Sequence, residues 1–250
     1  MNNPKQNFFL TKNNQKIHYK FINNKSLTTI IFLHGLMSNI KSKKAKHLKK
    51  FVNKNKINLL LFEYSGHGKS SGKFTDFSIK NWVEDSRAII KKLIKKNKII
   101  LVGSSMGAWI GIMLIKYFYK KIKGFVGIAS APDFTEELIW KKLSIVEKNK
   151  IRENKIYKLK NSHNNFYPIT KKFLYDGKKV LVLNKKIKCN FPVELLHGVN
   201  DCSVSWFYSI KLIKTLISKK LNLTIIDDGD HSLSRNQDLK KLDLAIKNII

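Results

Sequence analysis

Gly103-Ser104-Ser105-Met106-Gly107 sets one serine two residues from a glycine on either side. A short apolar run, Lys98 to Val102, leads into it, and a longer one, Ala108 to Phe118, leads out. That reads as strand, sharp turn and helix with a serine at the apex, the form of a nucleophile elbow. Glycines flanking the serine let the backbone turn tightly without Cβ clashes. The glycine spacing selects Ser105 rather than Ser104. Its hydroxyl is then pushed out above a sheet, beside the positive end of the following helix. A hydroxyl is a poor nucleophile until a base takes its proton, and the base needs an acid to orient it.

In elbows of this kind the acid and the base follow the serine in that order. Pro192-Val-Glu-Leu-Leu-His-Gly-Val-Asn-Asp201 reads as an apolar strand whose terminal loop presents a carboxylate. Leu223-Thr-Ile-Ile226 followed by Asp227-Asp-Gly-Asp-His231 reads as a second such strand, whose loop presents an imidazole. Upstream, Thr29-Ile-Ile-Phe-Leu33 runs into His34-Gly35-Leu36, where a backbone amide could face a developing oxyanion. Asp133, Asp227, Asp228 and Asp230 are alternative acids. Asp201 ends the strand that should carry the acid, whereas Asp230 adjoins His231 and is poorly placed to orient it.

Other patterns mislead. Gly66-His-Gly-Lys-Ser70 looks like the tail of a phosphate loop, but that motif needs a glycine where Glu63 stands. It reads as a turn after a strand, with His67 making structural hydrogen bonds. His34 and His197, each before a glycine at a strand end, read the same way. His18, His47 and His163 have no assignable partners, and no Cys/His cluster has zinc spacing.

Strands are expected at 28–33, 57–63, 98–103, 124–129, 192–197 and 222–227. A hairpin is expected from Phe8–Thr11 and Lys16–Phe21. Helices are expected at 40–54, 78–96, 106–119, 204–219 and 236–249. The 78–96 helix has Asp76 or Ser78 as cap and an apolar face of Ile79, Trp82, Val83, Ile89, Ile90 and Leu93. Alternation of this kind implies a mostly parallel sheet with helices on both faces and ligands at the carboxyl ends of its strands. Residues 132–190 interrupt it for longer than an ordinary connection. They carry Phe134, Leu138, Trp140, Leu143, Phe166, Tyr167, Phe173, Leu174 and Tyr175. This insertion is expected to form a helical cap that lines an acyl pocket, within one domain spanning 1–250.

The chain has 250 residues and a formal charge of +32, from 49 Lys+Arg against 17 Asp+Glu. Only Arg87, Arg152 and Arg235 are arginine, so the arginine forks of specific nucleic-acid readers are missing. The charge would instead attract an anionic substrate or an acidic lipid, with weak nonspecific nucleic-acid binding at low salt. No stretch is apolar enough to span a bilayer, and residues 1–7 carry no apolar signal segment. Cys189 and Cys202 flank the 192–197 strand, too far apart for a disulfide if it is extended. Free thiols in a reducing, cytoplasmic compartment are expected, with Cys202 a small buried residue beside the acid.

The chain resembles the α/β-hydrolase superfamily along its length. It is most similar to the mitochondrial palmitoyl-protein thioesterase and acyl-glucuronide esterase group and its bacterial relatives. The residues that carry the likeness are Phe62–Ser70, Val102–Trp109, Pro192–Asp201 and Asp230-His231. The resemblance implies an eight-stranded α/β-hydrolase fold with Ser105 as nucleophile, Asp201 as acid and His231 as base. It also implies that the amides of Leu36 and Met106 form the oxyanion hole. His34-Gly35 stands where close relatives often have Pro-Gly. The expected reaction is hydrolysis of a small-molecule acyl ester or thioester, needing no cofactor or metal. A peptidase or carbon–carbon bond hydrolase, or a non-catalytic binding module on the same fold, are the competing expectations.

Overall fold

A computed structural model describes residues 7–160 and 166–250. His163 lies outside them. Strands β1 (Asn7–Leu10) and β2 (Lys16–Ile22) form the expected hairpin. β3 (Thr28–Leu33), α1 (Lys43–Asn55), β4 (Asn58–Phe62), α2 (Ile79–Leu93), β5 (Lys98–Ser104), α3 (Met106–Phe118) and β6 (Ile122–Ile128) follow in strict alternation. The inserted segment contains α4 (Ile145–Arg152), β7 (Tyr157–Lys160), β8 (Phe166–Ile169), α5 (Lys171–Lys178) and β9 (Ile187–Cys189). β10 (Val193–Gly198), α6 (Phe207–Thr215), β11 (Leu216–Ser218), β12 (Leu221–Ile226) and α7 (Asn236–Lys247) complete the chain.

Eight strands form one sheet in the order β1-β2-β4-β3-β5-β6-β10-β12. From β4 to β12 every pairing is parallel, so those strands end on one edge. The chain leaves β3 for β4 on one side and then crosses to β5 on the other. That reversal between β3 and β5 is a topological switch point, where open α/β sheets bind ligands. β3 and β4 are buried along nearly their whole length, as the continuous apolar runs of a sheet covered on both faces require. One core layer packs α2 and α3 on the sheet around Trp82, Trp109 and Phe125. The other packs α1 and α7 around Leu48, Phe51, Leu242 and Ile246. α3 is buried from Met106 to Ile115, which is why it reads as apolar all round. No helix among the described residues is long and apolar enough to cross a membrane.

The insertion is mixed rather than wholly helical, because β7 and β8 pair as an antiparallel hairpin. Its apolar side chains divide. Phe134, Leu143, Phe173 and Leu174 are buried, whereas Phe166 and Tyr175 are exposed. Phe134 meets Trp109 edge-on, and Phe173 packs on Phe74 and Trp82. Ser78, which starts α2, donates its hydroxyl to Asp176 of α5 at 2.8 Å.

The expected 204–219 helix is shorter at both ends. Its start is delayed because Asp201 Oδ1 takes the amides of Ser203 and Val204, which holds those residues in a turn. Its end is cut because 216–218 pair in parallel with 187–189. Both cysteines are free, and Cys202 is exposed rather than buried. The same turn leaves the Cys202 side chain on the outside, with Sγ 3.6 Å from the carbonyl of Asn200.

Candidate active site

Ser105 directly follows β5, at φ 54° and ψ −118°. That backbone conformation is strained for a residue with a Cβ, and it persists only where the surroundings over-determine it. They do so here. The Ser105 N–H donates to the carbonyl of Ile128 at 2.8 Å, and its carbonyl accepts from Ala108 and Ala131 at 3.0 and 3.3 Å. The flanking glycines are needed for close approach. A Cβ on Gly107 would lie 2.0 Å from the carbonyl oxygen of Leu33, and one on Gly103 would lie 2.5 Å from that of Gly107.

His231 arrives on the loop after β12. Its Nε2 is 3.0 Å from Ser105 Oγ, and its Nδ1 donates to Asp201 Oδ2 at 2.7 Å. The imidazole is partly open to solvent, while the Asp201 side chain is wholly buried. Burial opposes the charge on Asp201. Hydrogen bonds from His197 and His231 outweigh it and hold the carboxyl well below the usual carboxylate range. The alternative acids are engaged elsewhere. Asp133 accepts from the amides of Val182 and Leu183, Asp228 pairs with Arg235, and Asp230 accepts from the amide of Leu233. Asp227 is exposed. Lys44, buried in α1, donates Nζ to the carbonyl of Ser232 and to Ser234 Oγ, which anchors the loop carrying His231.

Across the switch point, the loop after β3 carries Leu36, and Met106 opens α3. Among the described residues neither amide has a hydrogen-bond partner. The peptide plane that bears the Leu36 N–H is fixed through its other end. The Gly35 carbonyl accepts from His34 Nδ1 at 2.9 Å and from the Ser38 amide at 3.2 Å. Next along, Met37 is left-handed at φ 50°, and its N–H donates to His67 Nε2 at 3.2 Å. Glu63 accepts from the Ile40 and Lys69 amides. Burial pushes the His34 and His67 imidazoles down to about 3 and about 4, so His67 remains free to accept. The Gly66–Ser70 turn thus buttresses the loop that holds Leu36.

His67 and His197 were legible only as structural histidines. His67 touches the Leu36 loop and His197 touches Asp201. For His197 a signal was present: it lies four residues before the acid, at the end of the same strand. His18 and His47 pair with Glu63 and Asp243.

A family model described as serine aminopeptidase, S33, matches residues 24–171. The chain belongs to this family of α/β hydrolases. The rat mitochondrial palmitoyl-protein thioesterase ABHD10 is 28% identical over 223 residues, covering 88% of this chain and 74% of that protein. The crystal structure named "Putative hydrolase from Agrobacterium vitis S4" superposes with a TM-score of 0.93 at 31% identity, covering 98% of both chains. The mouse α/β hydrolase domain-containing protein 10 does so with a TM-score of 0.88 at 25% identity, again over 98% of both. This α/β hydrolase therefore has relatives named for thioester cleavage.

Proposed function

We propose that the chain is a serine hydrolase that cleaves carboxylic ester or thioester bonds through a Ser105–His231–Asp201 triad and an acyl-enzyme. The observation that carries this reading is the unbroken line of contacts from Ser105 Oγ through His231 to Asp201 Oδ2. Ser105 Oγ attacks the acyl carbonyl as His231 Nε2 takes its proton. Asp201 holds the imidazole in the reactive tautomer and stabilises its charged form. The amides of Leu36 and Met106 receive the oxyanion, each worth about 3 kcal/mol in the transition state. His231 returns the proton to the departing alcohol or thiol. It then deprotonates a water that releases the carboxylic acid and frees Ser105.

Residues 132–190 serve as the cap, with Phe134 and Phe173 on the acyl side. Phe134 packs on Trp109, in the helix that begins beside Ser105, and Phe173 packs on Phe134, which supports that placement. The thioesterase names of the relatives favour an acyl thioester as substrate. The two free thiols fit a reducing compartment such as the cytoplasm.

A fluorophosphonate probe tests the reading. Label should map to Ser105 and disappear in Ser105→Ala together with ester hydrolysis. Retained hydrolysis in that variant refutes the assignment. A second reading, aminopeptidase activity, is favoured by the family description. Turnover of p-nitrophenyl acyl esters, acyl thioesters and aminoacyl amides side by side separates the two.

A further inference from the structure

We propose that His197 is a positioning residue, a second imidazole that donates its Nε2–H to Asp201 and so fixes the acid beneath His231 and takes up part of its negative charge. This rests on the triad reading above. His197 is wholly buried at the end of β10. Its Nε2 lies 3.1 Å from Asp201 Oδ2 and 2.9 Å from the carbonyl of Val204. Both are acceptors, so this nitrogen must carry a hydrogen. Nδ1 lies 2.7 Å from Ser209 Oγ, a hydroxyl that is itself fully buried and can donate. The ring is therefore satisfied in one tautomer, with Nε2 protonated and Nδ1 accepting.

Asp201 is correspondingly full. Oδ2 accepts from both imidazoles, and Oδ1 accepts from the amides of Ser203 and Val204 at 2.9 and 2.7 Å. A carboxylate has about four lone-pair sites. Four donors from three segments leave it no freedom to rotate. The oxygen that holds His231 Nδ1 is the one shared with His197. Without the second donor, more negative charge would rest on that oxygen and the imidazolium of His231 would be held more tightly.

The test compares His197→Gln, whose amide nitrogen reaches the Nε2 position, with His197→Asn, which falls short of it. The Asn variant should lose about tenfold or more in kcat, the cost typical of removing an outer partner of a positioned imidazole. Its KM should stay nearly level, and the acid limb of its kcat/KM profile should move to higher pH. The Gln variant should restore both. A wild-type profile in both variants overturns the proposal, as does an equal drop in both with no movement of the acid limb. A measurement on the unaltered protein stands apart from folding of the variants. Nitrogen-15 spectra at neutral pH should assign the hydrogen of His197 to Nε2, and a hydrogen only on Nδ1 overturns the proposal. Failure of the triad reading would appear separately, as wild-type protein that the fluorophosphonate does not label.

Discussion

At the scale of single residues, the proposed triad depends on one carboxylate being charged, buried and correctly hydrogen-bonded. Asp201 makes His231 keep its hydrogen on Nδ1, which leaves Nε2 free to accept from Ser105. An amide in its place can donate to Nδ1 and invert the tautomer. Asp201→Asn should therefore cost about four powers of ten in turnover while the fold is retained. Steady-state kinetics on folded variant protein would check this, and an unaltered rate would move the acid elsewhere. Ser105 illustrates the same dependence in its backbone. Its left-handed φ is held by hydrogen bonds from two elements and by the absence of a Cβ at Gly103 and Gly107.

At the scale of elements, the loop after β3 needs a scaffold because it presents an amide rather than a side chain. That scaffold is the turn after β4. His67 accepts the Met37 N–H, one residue from Leu36, and Glu63 accepts the Ile40 N–H. His67→Leu removes the acceptor and leaves the ring-packing site apolar. If the Leu36 amide is the oxyanion donor proposed above, losing it outright costs a hundredfold or more, and loosening it should lower kcat about tenfold and leave KM nearly unchanged. An unchanged kcat in a folded His67→Leu variant would show that the loop holds its shape unaided. α1 performs a similar task for the loop after β12 through Lys44.

At the scale of the whole molecule, buried titratable groups and surface charge set the response to solution conditions. His34 and His67 stay neutral in the fold to about pH 3 and about pH 4, against 6.5 for an ordinary imidazole. The unfolded chain therefore takes up protons that the folded chain refuses. Their contribution is complete above pH 6.5 and is lost as pH falls toward 4. Asp85 opposes this, since burial raises it from 3.8 to about 6 and the fold then holds a proton that the unfolded chain releases. Two groups against one leave a net loss of stability as pH falls from 6 toward 4. Chemical denaturation at pH 7, 6 and 5 should show stability declining in that order, and constant stability would contradict the burial of these groups. The formal charge of +32 acts at longer range. Turnover of anionic substrates should fall as salt rises from 0.05 to roughly 0.5 M, where the Debye length becomes only a few ångströms, while neutral substrates change little. Equal insensitivity of both would make the charge incidental to catalysis.

Outside the insertion, the sequence by itself determined the order of the main sheet's strands and helices, the mostly parallel sheet and the tight turn at Ser105. Those are local properties: the glycine spacing around Ser105, apolar runs of strand length, and a regular alternation with helices. The short reach of α6 escaped it, because the Asp201 side chain and pairing with a strand about thirty residues upstream overrode local propensity. Only the tertiary structure decided what meets what. The hydroxyl of Ser105 lies 126 residues from its imidazole partner, and that imidazole lies 30 from Asp201. The contact of His67 with the Leu36 loop was hidden for the same reason, since its partner Met37 lies 30 residues away. His197 lies only four residues before Asp201, and there the fold decided the direction of the ring rather than the distance.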